Sequence, residues 1–482
     1  MARINTNVSA LIAQRTLRAS QRDLTVSLER LSSGLRINRG ADDPAGLINS
    51  EHLRAEMSGV SKAIDNSERA INIVATTEGA LNEVASLLTD IQGLIVEAAN
   101  DGAMSKDEIM ANQLQIDSAI ESITRIANTT SFAGRKLLDG SLDYITSGVQ
   151  ASAISTLQVH GVQFGNRPYV PVQMVVTQSA QKAELQYRAG TSTITSNISI
   201  ELRGSKGTTT VTLVAGSSLE DVITAVNSVS ESCGVEADYI NSATPTSGIC
   251  FRSTGYGSDQ LVQVTELAGG SSFPLYTTAG AAATNDYGQD AVATINGARA
   301  VGRGLEVSLN TSTLDLTLTL TEDFGLNSTS FAVTGGGALF QLGPDVNTNQ
   351  QVNIGVQSVA ASRLGNTAVG FLSQIVQGGD YEIIGDMANR ENAGNIITEA
   401  IRQVAVLRGR LGAFERNTLQ TNINSLSITL ENLTASESAI RDTDFAEETS
   451  KLTRNQILVN AGTSVLALAN STPQSVLALL GG

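Results

Sequence analysis

The chain has 482 residues, enough for several domains, with 41% hydrophobic residues but only 4% aromatic ones and no tryptophan. Its cores must therefore be filled by Leu, Ile, Val and Ala, which suits helix-on-helix packing and slender sheets. A formal charge of -16 argues against nucleic acid, whose phosphates need a clustered basic face, and favours solubility at high concentration.

The opening stretch, MARINTNVSALIAQRTLRAS, lacks the unbroken apolar core of a secretory signal peptide; if the protein leaves the cell, it must use a route that cleaves nothing. Residues 4 to 35 follow a helical pattern. Leu17, Leu24, Leu28, Leu31 and Leu35 are spaced 7, 4, 3 and 4, a heptad seam, while Ile4, Val8 and Leu11 form a short stripe in a shifted phase. Gly34 and Gly40 weaken the helix, and Asp43-Pro44 marks a boundary with proline at the first position of a new helix. Asp42 and Asp43 suit a helix N-terminus. The second helix is expected to run to about Asn100, with Ile64, Ile71, Val74, Leu81, Leu88 and Ile95 on one stripe. A third covers Lys106 to Asn128, with Ile109, Ile116, Ile120 and Ile123 in phase.

From about 173 to 338 the period drops to two amid Gly, Ser and Thr. Ile198, Ile200 and Leu202 alternate, as do Leu305, Val307 and Leu309, and then Leu314, Leu316, Leu318 and Leu320. SLNTST between the last two sets reads as a hairpin turn, and SSLEDVITAVNSV as one short helix among strands. Val352, Ile354 and Val356 alternate just before the helices return. Ile397, Ile401, Val404 and Leu411 then lead into a seam of Leu419, Ile423, Leu426, Leu430, Leu433 and Ile440. Beyond RDTDFAEE, Ile457, Ala461, Val465 and Leu468 mark a last helix, with Ser471-Thr472-Pro473 as a cap and restart before Val476 and Leu479. No apolar run reaches the length of a membrane span, Asn460, Asn470, Pro473 and Gln474 interrupting the nearest.

A seam of about 30 residues, about 45 Å long, needs a partner along its length, because each buried leucine is worth about 1.5–3 kcal/mol. The matching stripe lies at the other end of the chain, so the two ends are expected to pair. An ordinary helical bundle is the alternative. Arg3, Arg15, Arg18, Arg22, Arg30 and Arg36 stand against Asp23 and Glu29 in the first 36 residues, while Asp442, Asp444, Glu447 and Glu448 approach the last helix. Such charge either sets register between elements or neighbouring subunits, or solvates exposed faces.

Chemistry is sparse. Two histidines, His52 and His160, cannot build a histidine-rich metal site, and His52 in SEHLRAE reads as a surface or interface residue. No H-E-x-x-H occurs; GSKGTTT lacks the spacing of a phosphate loop and reads as a hairpin turn. Cys233 and Cys250 allow one bridge or two separate buried thiols. No catalytic constellation is visible, and no cofactor or metal is expected.

Two stretches, LSSGLRINRGADDPAGLINSEHLRAEM and AIRDTDFAEETSKLTRNQILVNAGTSVLALANSTPQSVLALLGG, strongly resemble the ends of bacterial flagellins, over roughly residues 1 to 140 and 390 to 482. LFQLGPDVNTNQQVNIGVQSVAASRLG is similar to the stretch before their C-terminal helices; TTTVTLVAGSSLEDVITAVN and INGARAVGRGLEVSLNTSTLDLTLTL look like segments of their outer domains. The resemblance implies an α+β architecture, a long helical-bundle and coiled-coil core formed by both chain ends with a β-rich outer domain inserted. Its implied partition is 1-43 plus 443-482 as filament core, 44-172 plus 339-442 as a helical rod with β-hairpin elements, and 173-338 as outer domain.

The implied function is that of an extracellular, self-assembling filament subunit of the bacterial flagellum, not an enzyme, with terminal segments folding on assembly. Assembly would rest on Leu17, Leu24, Leu28, Leu31, Leu35, Leu419, Ile423, Leu426, Leu430, Leu433, Ile457, Val465 and Leu468, and an inter-domain loop on Gly34, Arg36, Gly40, Asp43 and Pro44. Implied partners are further copies of the chain, the flagellar export apparatus and an export chaperone, and hook-associated and filament-cap proteins. Flagellins that activate a host innate immune receptor carry an arginine and a glutamate flanking a leucine-rich face. In the matching LLTDIQGLIVEAAN, Asp90 replaces the arginine and Gly93 the glutamate beside Leu94, so recognition is expected to be weak. A hook–filament junction protein of the same lineage, or an insert acting as an adhesin, are the competing readings. Whether the serine- and threonine-rich insert is glycosylated is left open.

Overall fold

The computed structural model describes residues 6–165, 167–188, 193, 194, 196–268, 273–311 and 313–480. Its helices are α1 (Val8–Ser33), α2 (Pro44–Ala98), α3 (Lys106–Thr129), α4 (Leu219–Asn227), α5 (Ser230–Cys233), α6 (Met387–Phe414), α7 (Thr421–Arg441) and α8 (Phe445–Leu480). A π-helical stretch, Glu415–Gln420, lies between α6 and α7. Contacts divide the chain into two compact units, one of residues 1–70, 341–346 and 416–482, the other of 71–340 and 347–415.

In the first unit α1 and α8 run antiparallel, and α7 packs beside the first half of α2. Val60, Ala63, Ser67 and Ala70 form the buried stripe there, and the Asn422 amide donates to Ser67 Oγ (3.2 Å) and to the Leu342 carbonyl (2.8 Å). Arg441 pairs with Glu51 at 3.1 Å. Leu419 is fully buried, whereas Ile423, Leu426, Leu430, Leu433 and Ile440 are half-buried.

In the second unit most positions of the helical stripes are closed. Val74, Leu81, Leu88 and Ile95 of α2, Ile109, Ile116, Ile120 and Ile123 of α3, and Ile397, Val404 and Leu411 of α6 are all buried; Ile71 and Ile401 are half-buried. α3 opens with a capping box, Ser105 and Glu108 satisfying each other's backbone N–H groups. Arg390, buried in α6, reaches the α2–α3 turn through Asp101 (2.6 Å) and donates to the Ile383 carbonyl (2.8 Å).

The strands of the same unit build two cores from antiparallel pairs. One joins the sheet of Ala298–Arg299, Val292–Ile295, Val170–Gln178, Ser328–Gly336 and Tyr144–Ser147 to that of Val301–Arg303, Glu306–Asn310, Leu314–Leu320 and Ile154–Val162. The other joins two four-stranded sheets within 184–287 to α4 and α5 around Leu185, Ile200, Leu202, Val222, Phe251 and Val264. The expected turns at GSKGTTT and SLNTST each connect antiparallel neighbours. The expected border at 172/173 falls inside the strand Val170–Gln178, and Ile154–Val162 ahead of it pairs along Leu314–Leu320. The first β core therefore draws on both sides of that border.

Two local expectations are corrected. α8 continues through Ser471-Thr472-Pro473 without a restart; the Ser471 hydroxyl bonds back to the Leu468 carbonyl (2.8 Å) instead of capping a new helix. Asp43 does cap α2, its Oδ1 accepting from Gly46 N (2.9 Å), but Asp42 holds the preceding loop, accepting from Asn38 N and Arg39 N. Arg3 and Ile4, and the side chains of Pro473, Val476 and Leu479, lie outside the described residues.

Candidate assembly surfaces

The α1–α8 seam is built from small residues. Ala13, Ser20 and Ser27 are the buried positions of α1, and Leu17, Leu24 and Leu31 flank them half-buried, which completes a 4-3-4-3-4 spacing. Facing them on α8, Leu452, Asn455, Val459, Leu466 and Ala469 are half-buried, and Gly462 lies so close that an added Cβ would sit 3.2 Å from Leu17 Cδ1. The Asn7 amide donates to the Ala469 carbonyl (2.8 Å) and the Asn455 amide to Ser27 Oγ (3.5 Å). Arg30 approaches the buried Glu448 at 3.7 Å, so the acidic approach to α8 does meet a basic side chain of α1.

Several of the apolar residues expected in this seam point the other way. Ile457 (62% exposed), Val465 (55%) and Leu468 (67%) face solvent, as does Leu28 on α1 together with Val8, Leu11 and Ile12. The reason is steric: close approach of two helices selects Gly, Ala and Ser, and the larger apolar side chains are carried on the opposite faces. The sequence pattern could have shown this, because 452, 455, 459, 462, 466 and 469 alternate by three and four, but Asn455 and Gly462 are not the residue types by which such stripes are sought.

The joint after α1 is held by backbone contacts. Gly34 adopts a left-handed conformation (φ 75°) that caps α1 and that a side chain would strain. Leu35 forms a β-bridge with Asp442, Arg36 N donates to the Arg441 carbonyl (2.6 Å), and Thr443 N donates to the Gly34 carbonyl (2.9 Å). The Arg36 guanidinium also binds the Ile440 carbonyl. Gly40 is exposed, Pro44 opens α2, and Ile37, which sequence reasoning passed over, is buried at the centre of the joint.

On α2, Asp90 and Gly93 are exposed and Leu94 is half-buried. In the second unit His160, on the strand Ile154–Val162, receives a hydrogen bond from Arg410 at Nδ1 (2.7 Å), and the same guanidinium binds its carbonyl (3.1 Å). Burial first, and the Arg410 charge second, push the His160 pKa down to about 3, so the ring is neutral. Burial raises Tyr144 to about 12 and Asp315 above the usual carboxylate range. Cys233 and Cys250 are free, buried thiols; burial and the Glu184 carboxylate raise the Cys250 thiol. Among the described residues there is no cluster of His, Cys, Asp and Glu able to hold a metal ion, and no helix long and apolar enough to cross a membrane.

The bacterial flagellin N-terminal helical region matches residues 4–143, the C-terminal helical region 395–480, and the flagellin hook IN motif 197–255 within the second β core. The chain is 30% identical over 515 aligned positions to a flagellin of Salmonella typhimurium, covering 99% of both. It is 29% identical to the B-type flagellin of Pseudomonas aeruginosa, again over 99% of both. A solved FliC of Burkholderia pseudomallei is 16% identical, covers 73% of this chain and 99% of its own, and gives a TM-score of 0.23, which adds nothing to the assignment. With helical regions matched at both ends and relatives matched end to end, the chain belongs to the bacterial flagellins, structural subunits that polymerise into the extracellular filament of the flagellum.

Proposed function

We propose that the α1–α8 pair is the polymerising element of this filament subunit and that it becomes dry only when neighbouring subunits cover it. One observation carries this reading: the pair uses Ala13, Ser20, Ser27 and Gly462 between its helices and leaves Val8, Leu11, Ile12, Leu28, Ile457, Val465 and Leu468 outside. Full burial of each such side chain is worth about 1.5–3 kcal/mol, a driving force held back for association. Isolated helices in water are marginal, so the terminal helices consolidate on assembly. The half-buried Leu17, Leu24 and Leu31, and the seam of α7, then act as the intramolecular scaffold behind that surface. Residues 1-43 with 443-482 form the filament core in this reading, 44-172 with 339-442 the rod, and 173-338 the outward part.

The remaining partners follow from membership of the family: the export apparatus and its chaperone, and hook-associated and cap proteins at the filament ends. Asp90 places a negative charge, and Gly93 no charge, where receptor-activating flagellins carry an arginine and a glutamate, so this chain gives a weak innate-receptor response. A reporter assay showing potency equal to an activating flagellin would refute that.

The main test is seeded polymerisation followed by electron microscopy. Gln181 and Gln289 exchange backbone hydrogen bonds (both 2.9 Å) at the neck of the second β core, so residues 183–287 can be excised and the ends rejoined. The excised chain should still form filaments. Limited proteolysis of the monomer should trim both termini first; termini as resistant as the second unit would overturn assembly-coupled folding.

A further inference from the structure

Each of the two four-stranded sheets in the second β core ends in two edge strands, and an open edge offers unpaired backbone groups to any passing strand. Three of these edges are blunted. Asn285–Tyr287 and Leu275–Thr277 have three residues each, and Val235–Tyr239 carries Glu236 and Asp238. The fourth, Thr208–Leu213, reads TTTVTL and is continued by Val214, which is exposed. It holds no charge and no proline, and its register against Ile198–Arg203 is unbroken. Val211 and Leu213 are buried, and the Thr209 hydroxyl lies 3.1 Å from Ser232 Oγ of α5, whereas Thr208, Thr210 and Thr212 are exposed on the other face. The nearest charge in the adjoining turn, Lys206, is offset by Glu231 at 2.9 Å.

The backbone parity of this edge follows from the turn before it. Gly204 N donates to the Gly207 carbonyl (3.0 Å), so these two residues are a bonded pair. Bonded pairs alternate along an antiparallel ladder, which makes Leu202 with Thr209, Ile200 with Val211 and Ile198 with Leu213 the next ones. The N–H and C=O groups of Thr208, Thr210 and Thr212 therefore point away from the neighbouring strand, and among the described residues no strand pairs with them. Two such edges meeting antiparallel must oppose these residues to one another. The fullest overlap sets Thr210 against Thr210 and Thr208 against Thr212, uncharged pairs of a favourable kind. Glu201 lies beside Thr210 on the next strand in, so the two copies of Glu201 would be three strand spacings apart, about 14 Å, beyond a Debye length.

We propose that the strand Thr208–Leu213 pairs antiparallel with the same strand of a second copy of the chain, joining two sheets into one across a two-fold axis at Thr210. A second copy is the occupant because the edge is complementary to itself, and because a chain that polymerises gathers its own copies at high local concentration. A two-fold contact closes on itself and adds nothing to elongation. The inference thus goes beyond the filament reading: it links the second β cores of two copies, a region that the excised chain lacks.

The test is a cysteine trap in the full-length, unseeded chain, oxidised by air with copper phenanthroline and read as dimer on a non-reducing gel. Opposed residues of a bonded pair have Cα atoms about 5.5 Å apart, within disulfide reach, and the native Cys233 and Cys250 are buried. Thr210→Cys should form dimer about tenfold faster than Glu236→Cys, placed on the charged edge of the other sheet. Register is read by adding charges to Thr210→Cys. Thr208→Lys with Thr212→Glu sets opposite charges against each other across the two-fold, and should trap at least as fast as Thr210→Cys alone. Thr208→Lys with Thr212→Lys opposes like charges and should trap about tenfold more slowly. Thermal unfolding checks each fold, and should a charged variant unfold, the comparison of Thr210→Cys with Glu236→Cys decides. Equal trapping at 210 and 236, or equal rates for the two charged variants, would overturn the proposal and leave the edge to an extended segment of another protein. Seeded elongation plays no part in this readout, so a failure of the filament reading is seen separately.

Discussion

The α2–α3–α6 bundle and the α1–α8 pair are written with the same repeat and reach different ends. In the bundle the inward positions hold Leu81, Leu88, Ile91, Ile116 and Ile123, each at 0% exposure, and this stripe is closed inside one subunit. In the pair the fully buried positions of α1 hold Ala13, Ser20 and Ser27 with Gly462 close by on α8, the inward Leu17, Leu24, Leu31, Leu452 and Leu466 stay half-buried, and further large apolar side chains lie outside. The repeat is common to both; what differs is whether its inward positions are aliphatic throughout or are interrupted by Ala, Ser, Asn and Gly.

That contrast can be broken most severely from the outside. Ile457→Asp with Leu468→Asp should abolish seeded polymerisation while the thermal unfolding of the monomer stays within a degree or two of the parent, because neither side chain contributes to a core. From the inside, Ile123→Ala should cost about 2–5 kcal/mol in denaturant unfolding, since a fully buried chain leaves a cavity, whereas Ile457→Ala should stay within about 0.5 kcal/mol. A large loss at Ile457 would erase the distinction between the two regions.

Acid sharpens it further. His160 has a folded pKa of about 3 against an ordinary 6.5, so between those values the unfolded chain takes up a proton that the folded chain refuses. Stability contributed by the neutral ring is complete above pH 6.5 and is lost as the pH falls towards 3, by on the order of a few kcal/mol. His160→Gln should flatten that part of the unfolding-versus-pH curve, and an unchanged slope would show that the ring is not responsible. A modest loss is expected at the joint: Gly34→Ala should cost about 1 kcal/mol for its left-handed backbone, measured by unfolding, with no change in the second unit.

The helices were legible because their apolar residues recur at three and four, and the alternating runs at 198–202 and 314–320 because their inward residues are all aliphatic. The inward face of α8 was not, since Asn455 and Gly462 occupy places where a pattern reader looks for leucine. The reach of the first β core was hidden for another reason. Leu316 pairs with Val159 and Ser330 with Gln173, contacts far apart in the chain, and the ladder of Ile154–Val162 is broken by irregularities that interrupt strict alternation.

The polar pair inside the terminal seam has a mechanical consequence. Asn455 meets Ser27, and Ser20, also buried, waits one heptad along α1, about 10.5 Å away. A slip of one heptad would bring the amide to a second hydroxyl, so this polar pair does not by itself fix the register of the two helices. The register is set by the contacts at the extremities: Asn7 on the Ala469 carbonyl at one end, and at the other Arg30 against Glu448, the Leu35–Asp442 bridge and Thr443 N on the Gly34 carbonyl.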